Sequence, residues 1–143
     1  MVRRIEPFKA SHISMFRPQD AQAHEPAPDA AYTAIEAAGL SFTGFRDDTI
    51  LACCGYIDMW PGRALCWTRI AFAATRHDML WIHRQVAKFI EANPRRRLEM
   101  TVDAGFYAGF RWAELLGFDK EALLRAYDPS GRDHVGYCKV NHG

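Results

Sequence analysis

At 143 residues, 49% hydrophobic and 13% aromatic, the chain is long enough for one full hydrophobic core and too apolar to be disordered. Lys and Arg total 18 against 17 Asp and Glu, a formal charge of +1, which gives no reason to expect nucleic acid or an anionic membrane as the main partner. The cysteines, Cys53, Cys54, Cys66 and Cys138, form no C-x-x-C pair and lie in apolar strand-like runs, so they read as buried free thiols in a reducing compartment. The start "MVRRIEPF" lacks the apolar run of a signal peptide, and no segment approaches the length of a membrane span. The expected place is inside a cell, or elsewhere after synthesis in one.

In chain order, Val2 to Glu6 reads as a short strand stopped by Pro7, and "KASHISMF" as a brief helix. Arg17 to Ala30, with three prolines and no periodicity, reads as a loop. Asp29 is placed to cap the helix "AAYTAIEAAG", which closes on Gly39. "LSFTGFRD" and "TILACCGYID" are strands joined near Asp47-Asp48, and "WPGR" is a tight turn into the strand "ALCWTRIAF". A helix from about Asp78 to Ala92 puts Met79, Ile82, Val86, Phe89 and Ile90 on one face before Asn93-Pro94 stops it. "RRLEMTV" is a strand, "GFYAGFRWAELL" a helix closed by Gly117, and "FDKEALLRAYD" and "HVGYCKV" are strands around the turn "DPSGRD". The order β-α-α-β-β-β-α-β-α-β-β predicts a single α+β (or α/β) domain over residues 1–143. Its mixed, mostly antiparallel central sheet would be flanked by about four helices.

This order, with "RWAELLGFDKEALLRAYDPSGRDHVGYCKV" at Arg111 to Val140, resembles the GNAT (Gcn5-related N-acetyltransferase) fold and its ribosomal-protein-type members. The Leu116-Gly117-Phe118 corner is the most specific word in that segment. The resemblance implies an acetyl-CoA pyrophosphate held by an R-x-x-G-x-G/A loop at the start of the central helix, here within "IAFAATRHDMLWIHRQVAKF" (Ile70 to Phe89). With Arg76 on the motif arginine, Met79 and Trp81 fall on the two glycine positions, and Thr75-x-x-Asp78 has the spacing of a capping box. That box would satisfy the free amides internally, and the Asp78 carboxylate would repel a pyrophosphate. A tyrosine acid that many family members carry four residues before the corner glycine is here Ala113, beside Trp112.

The resemblance extends to short GNAT-like tailed-phage proteins of the virion interior or head assembly, with a similarly glycine-free loop. The leading expectation is therefore a non-catalytic structural or binding component, in the virion or the host cytoplasm, with no cofactor. Its partners would be phage structural proteins or a second copy of the chain. Trp60 and Trp81 are the candidate contacts, because both fall off the core stripe and exposed tryptophans are enriched at interfaces. A second expectation is an active N-acyltransferase using acetyl-CoA. There the amides around Ile70 to Phe72 would polarise the thioester, Arg76 and the helix amides near Asp78 would hold the pyrophosphate, and Glu99 or Asp103 would be the base. Tyr107 would be a displaced acid. A host-takeover binding factor is the third. No histidine pair has the i, i+4 spacing of a helical metal site, so no metal is assigned. Asp58 reads as a strand-end carboxylate, and Arg95, Arg96 and Arg97 suit a helix C-terminus more than a phosphate patch.

Overall fold

Residues 1–23 and 30–142 are described by a computed structural model of the chain. Strands β1 (Arg3–Pro7), β2 (Ser41–Arg46), β3 (Thr49–Trp60), β4 (Arg63–Ile70), β5 (Arg97–Asp103), β6 (Asp119–Leu124) and β7 (His134–Val140) form a sheet in the order β1-β2-β3-β4-β5-β7-β6. The pairing is antiparallel at β1–β2, β2–β3, β5–β7 and β6–β7, and parallel at β4–β5. The α-helices among the described residues are α1 (Ala30–Ala38), α2 (Arg76–Ala92) and α3 (Tyr107–Leu115). The expected α+β class and mixed, mostly antiparallel sheet are present.

By its contacts the chain divides into two units, Met1–Ile57 with Trp67–Phe89 and Asp58–Cys66 with Ile90–Gly143. In the first unit, β2 has different neighbours on its two faces, as the period-2 alternation of a strand requires. Phe42 meets Phe89 of α2 at 5.4 Å, and Gly44 lies under Trp81. On the other face Thr43 bonds His12 at 2.7 Å, and Phe45 joins Phe8, Ile13, Ile50 and Cys53 in a core cluster lined by Tyr32, Ile35 and Trp67. Both faces are covered, so β3 is buried without interruption from Ile50 to Tyr56 and reads as an unbroken apolar run. In the second unit, Leu98, Val102, Ala113, Leu116, Phe118, Val135 and Tyr137 make the core. Gly117, at φ +92°, turns α3 into β6.

Several boundaries differ from expectation. The helix expected over residues 9–16 is a 3₁₀ turn, Ala10–Met15, closed by an i→i+3 bond from His12 N to Lys9 O. The Arg17 to Ala30 loop contains a second such turn, Asp20–Gln22, and an isolated bridge from Pro18 to Ala71. Asp29 and its capping role lie outside the described residues. Helix α2 starts at Arg76, two residues early, because Thr75 takes the capping position. Strand β6 ends at Leu124, since Ala126 turns the chain at φ +48°. Cys53, Cys54 and Cys138 are buried free thiols and Cys66 is partly buried; burial pushes the Cys53, Cys54 and Cys66 thiols up to about 12.

Gly55 shows how tightly β3 is packed. A Cβ there would lie 2.5 Å from the Leu40 carbonyl oxygen, backbone that cannot step aside. Gly55→Ala should lose about 3 kcal/mol of stability, read as a fall in the thermal midpoint; an unchanged midpoint would contradict this packing.

Candidate functional site

The start of α2 is closed by its own chain. The Thr75 amide donates to Asp78 Oδ2 at 2.8 Å, and the Asp78 amide donates to Thr75 Oγ1 at 3.2 Å, the reciprocal capping box the spacing predicts. Asp78 is fully buried, with its carboxylate oxygens also taken by Arg3 of β1 (2.9 Å) and by Arg46 of β2. Burial alone would raise this carboxyl, but the hydrogen bonds from Thr75 and Arg3 and the nearby Arg46 charge outweigh it and hold the pKa below the ordinary value. The amides of Arg76 and His77 remain as the helix's free donors among the described residues, and Arg76 is exposed. Met79 is partly buried. Trp81 is partly buried as well, with Gly44 beneath it so closely that a Cβ there would lie 2.9 Å from the indole. Trp81, a candidate partner contact, keeps part of its surface exposed while its ring rests over the glycine of β2.

The edge of β4 is likewise occupied. The Ile70 amide donates to Gln22 Oε1 at 2.9 Å and the Phe72 amide to the Arg17 carbonyl at 2.8 Å. In return Gln19 N donates to Ile70 O and Gln22 Nε2 to Thr68 O, both at 2.8 Å, while the Arg17 guanidinium lies 3.9 Å over the Phe72 ring. The amides expected to polarise a thioester are therefore already bonded. Gln22 is buried in an otherwise unremarkable Ala/Pro stretch, so no local pattern marks it. Arg3 and Arg46 were missed for the same reason: their partner lies 75 and 32 residues away.

The candidate bases are held by arginines. Glu99 is bonded by Arg63, with Arg97 at 3.4 Å, and the Arg63 guanidinium holds its carboxyl below the ordinary value. Asp103 accepts from Arg132 Nε at 2.6 Å and from the Gly105 amide at 2.8 Å, and Arg132 likewise lowers it. A general base works best with a pKa near the working pH, and both carboxylates are moved the other way. Tyr107 is exposed at the first position of α3, edge-on to Phe110 at 5.7 Å. Ala113 is fully buried. Asp103, Asp128 and His134 cluster closely enough for a cation, but Arg132 already supplies a charge there and His134 Nε2 bonds Asp128 at 3.0 Å. Trp60 is exposed, as expected.

The helix start where the resemblance places an acetyl-CoA pyrophosphate is partly occupied by the chain's own groups. The cap takes up the Thr75 and Asp78 amides, the Arg76 and His77 amides stay open, and the Asp78 carboxylate is buried between Arg3 and Arg46. No protein-family model matches the chain, and no curated protein sequence does. Solved structures do match. A ribosomal-protein alanine N-acetyltransferase from Escherichia coli aligns at TM-score 0.71 and 15% identity, covering 97% of this chain and 94% of its own. Ard1 from Thermoplasma volcanium aligns at 0.75 and 11% over 100% of both chains. A chain of the NatC complex, solved with a Gag peptide and CoA, aligns at 0.76 and 13% over 99% of both. The chain has the GNAT fold.

Asp78→Ala would leave Arg3 and Arg46 without their buried partner and should cost about 3 kcal/mol in urea unfolding at neutral pH. Because the Asp78 pKa is lower folded than unfolded, its contribution is fully present above the unfolded value of about 3.9. It is lost as pH falls through the folded value. The stability gap between wild type and variant should therefore narrow on acidification; a gap independent of pH would contradict the assigned ionisation.

Proposed function

We propose that this chain is a GNAT-fold binding protein in which the cofactor's docking groups serve the chain's own structure. The observation that carries this is the start of α2, where Thr75 and Asp78 satisfy each other and Asp78 is fixed by Arg3 and Arg46. The occupied Ile70 and Phe72 amides and the arginine-held Glu99 and Asp103 support the same reading. Its partners are proteins. A place in a virion or in head assembly, or a host protein as target, rests on the sequence resemblance alone, and no neighbour named above is a virion component.

The comparisons favour a second reading, an N-acetyltransferase moving acetyl from acetyl-CoA to an amine. The neighbours are acetyltransferases, and one was solved with CoA. For this reading the Ile70 and Phe72 amides must be released from Gln22 and Arg17, with the pyrophosphate on Arg76 and the open Arg76 and His77 amides.

Calorimetric titration with acetyl-CoA and with CoA separates the two. The binding-protein reading expects no heat and no thermal shift at millimolar cofactor. Micromolar binding that Arg76→Ala abolishes would overturn it in favour of the enzyme.

A further inference from the structure

Trp60, Arg95 and Arg96 take no part in the site above, yet the fold brings them together. Asp58, Trp60, Gly62, Arg95, Arg96 and His142 are among the residues around an open groove of about 870 Å³, with Pro61 and Pro94 as rigid walls. Its charge is one-sided. Both oxygens of Asp58 accept from Arg95, at 2.9 and 3.2 Å, so the groove's carboxylate is neutralised within the groove. Arg96 is exposed, and its guanidinium has no ion-pair partner among the described residues. His142 adds a further ring nitrogen to the lining.

The groove is also pre-ordered. Arg97 N donates to Gly62 O at 2.9 Å and Asn141 N to Arg96 O at 2.8 Å, which ties the β3–β4 turn and the end of β7 to β5. Trp60 is 57% exposed but not loose, because the Arg63 guanidinium lies 4.4 Å over its ring and is itself held by Glu99. An exposed, fixed indole beside a free guanidinium loses little conformational entropy on binding. Tryptophan and arginine are also the residue types that dominate protein-interface energetics.

We propose that this groove binds an acidic, aliphatic-bearing peptide segment of a protein partner, with carboxylates on Arg96 and His142 and an apolar side chain against Trp60, Pro61 and Pro94. The charge of the lining selects an acidic occupant. The apolar wall and the near-neutral chain, at +1, select a polypeptide over a nucleic-acid backbone. The groove shares no residue with Thr75–Leu80, so its test stands apart from the CoA titration.

The test is an NMR titration of the ¹⁵N-labelled full chain with the blocked peptide acetyl-Glu-Glu-Leu-Glu-Glu-amide. Saturable shifts are expected at the Trp60 indole and at the amides of Gly62, Arg96 and His142. Arg96→Glu should weaken them at least about tenfold while keeping the dispersed spectrum of a folded chain. Arg111→Glu, an exposed arginine on α3, should leave them unchanged. Absence of saturable shifts at these residues, or equal loss in both variants, would overturn the proposal. So would a short oligothymidylate that moves the same resonances at lower concentration than the peptide.

Discussion

One buried carboxylate, Asp78, ties the first unit together. It caps the central helix through Thr75 and anchors that helix to β1 and β2 through Arg3 and Arg46. A buried ion pair contributes little net stability against apolar packing, but removing one partner strands the others at a high cost. The arrangement therefore resists piecemeal change. Putting a glycine at Asp78 to open the helix start to phosphate would free amides and leave two guanidinium groups without their counter-charge. The glycine-free loop and the buried acid are two sides of one solution.

The same economy of polar groups governs β4. A strand edge with unbonded amides needs a partner, and the Arg17–Gln22 segment provides one by backbone and by the Gln22 side chain. Carboxylates with the residue type of a catalytic base are drawn into arginine pairs: Glu99 by Arg63, Asp103 by Arg132. In a fold shared with acetyltransferases, Glu99, Asp103 and the Ile70 and Phe72 amides are each bonded within the chain. Trp60 and Arg96, beside the groove between the prolines, stay exposed.

How much of this the sequence discloses depends on the range of the interaction. Period-2 and helical patterns, the Gly39 and Gly117 stops and the Pro61-Gly62 turn are local, and the order of strands and helices follows from them. The Thr75–Asp78 box spans four residues and was legible for the same reason. Its arginine partners were not, since nothing near Arg3 or Arg46 signals an acid on α2. Gln22 on the β4 edge was equally hidden. The packing beneath Trp81 was hidden as well, because helical spacing alone cannot show that β2 has a glycine, Gly44, opposite the ring. The 3₁₀ geometry at Ala10–Met15 was beyond a pattern of only eight residues.

The most direct test is to follow the backbone amide resonances of Thr75, Arg76, His77 and Asp78 while inorganic pyrophosphate is added to the wild-type chain. If Asp78 closes the helix start, the Thr75 and Asp78 amides stay bonded within the cap and their shifts do not move at millimolar pyrophosphate. Saturable movement of both would mean that the cap opens to an anion, and would contradict the account at its centre.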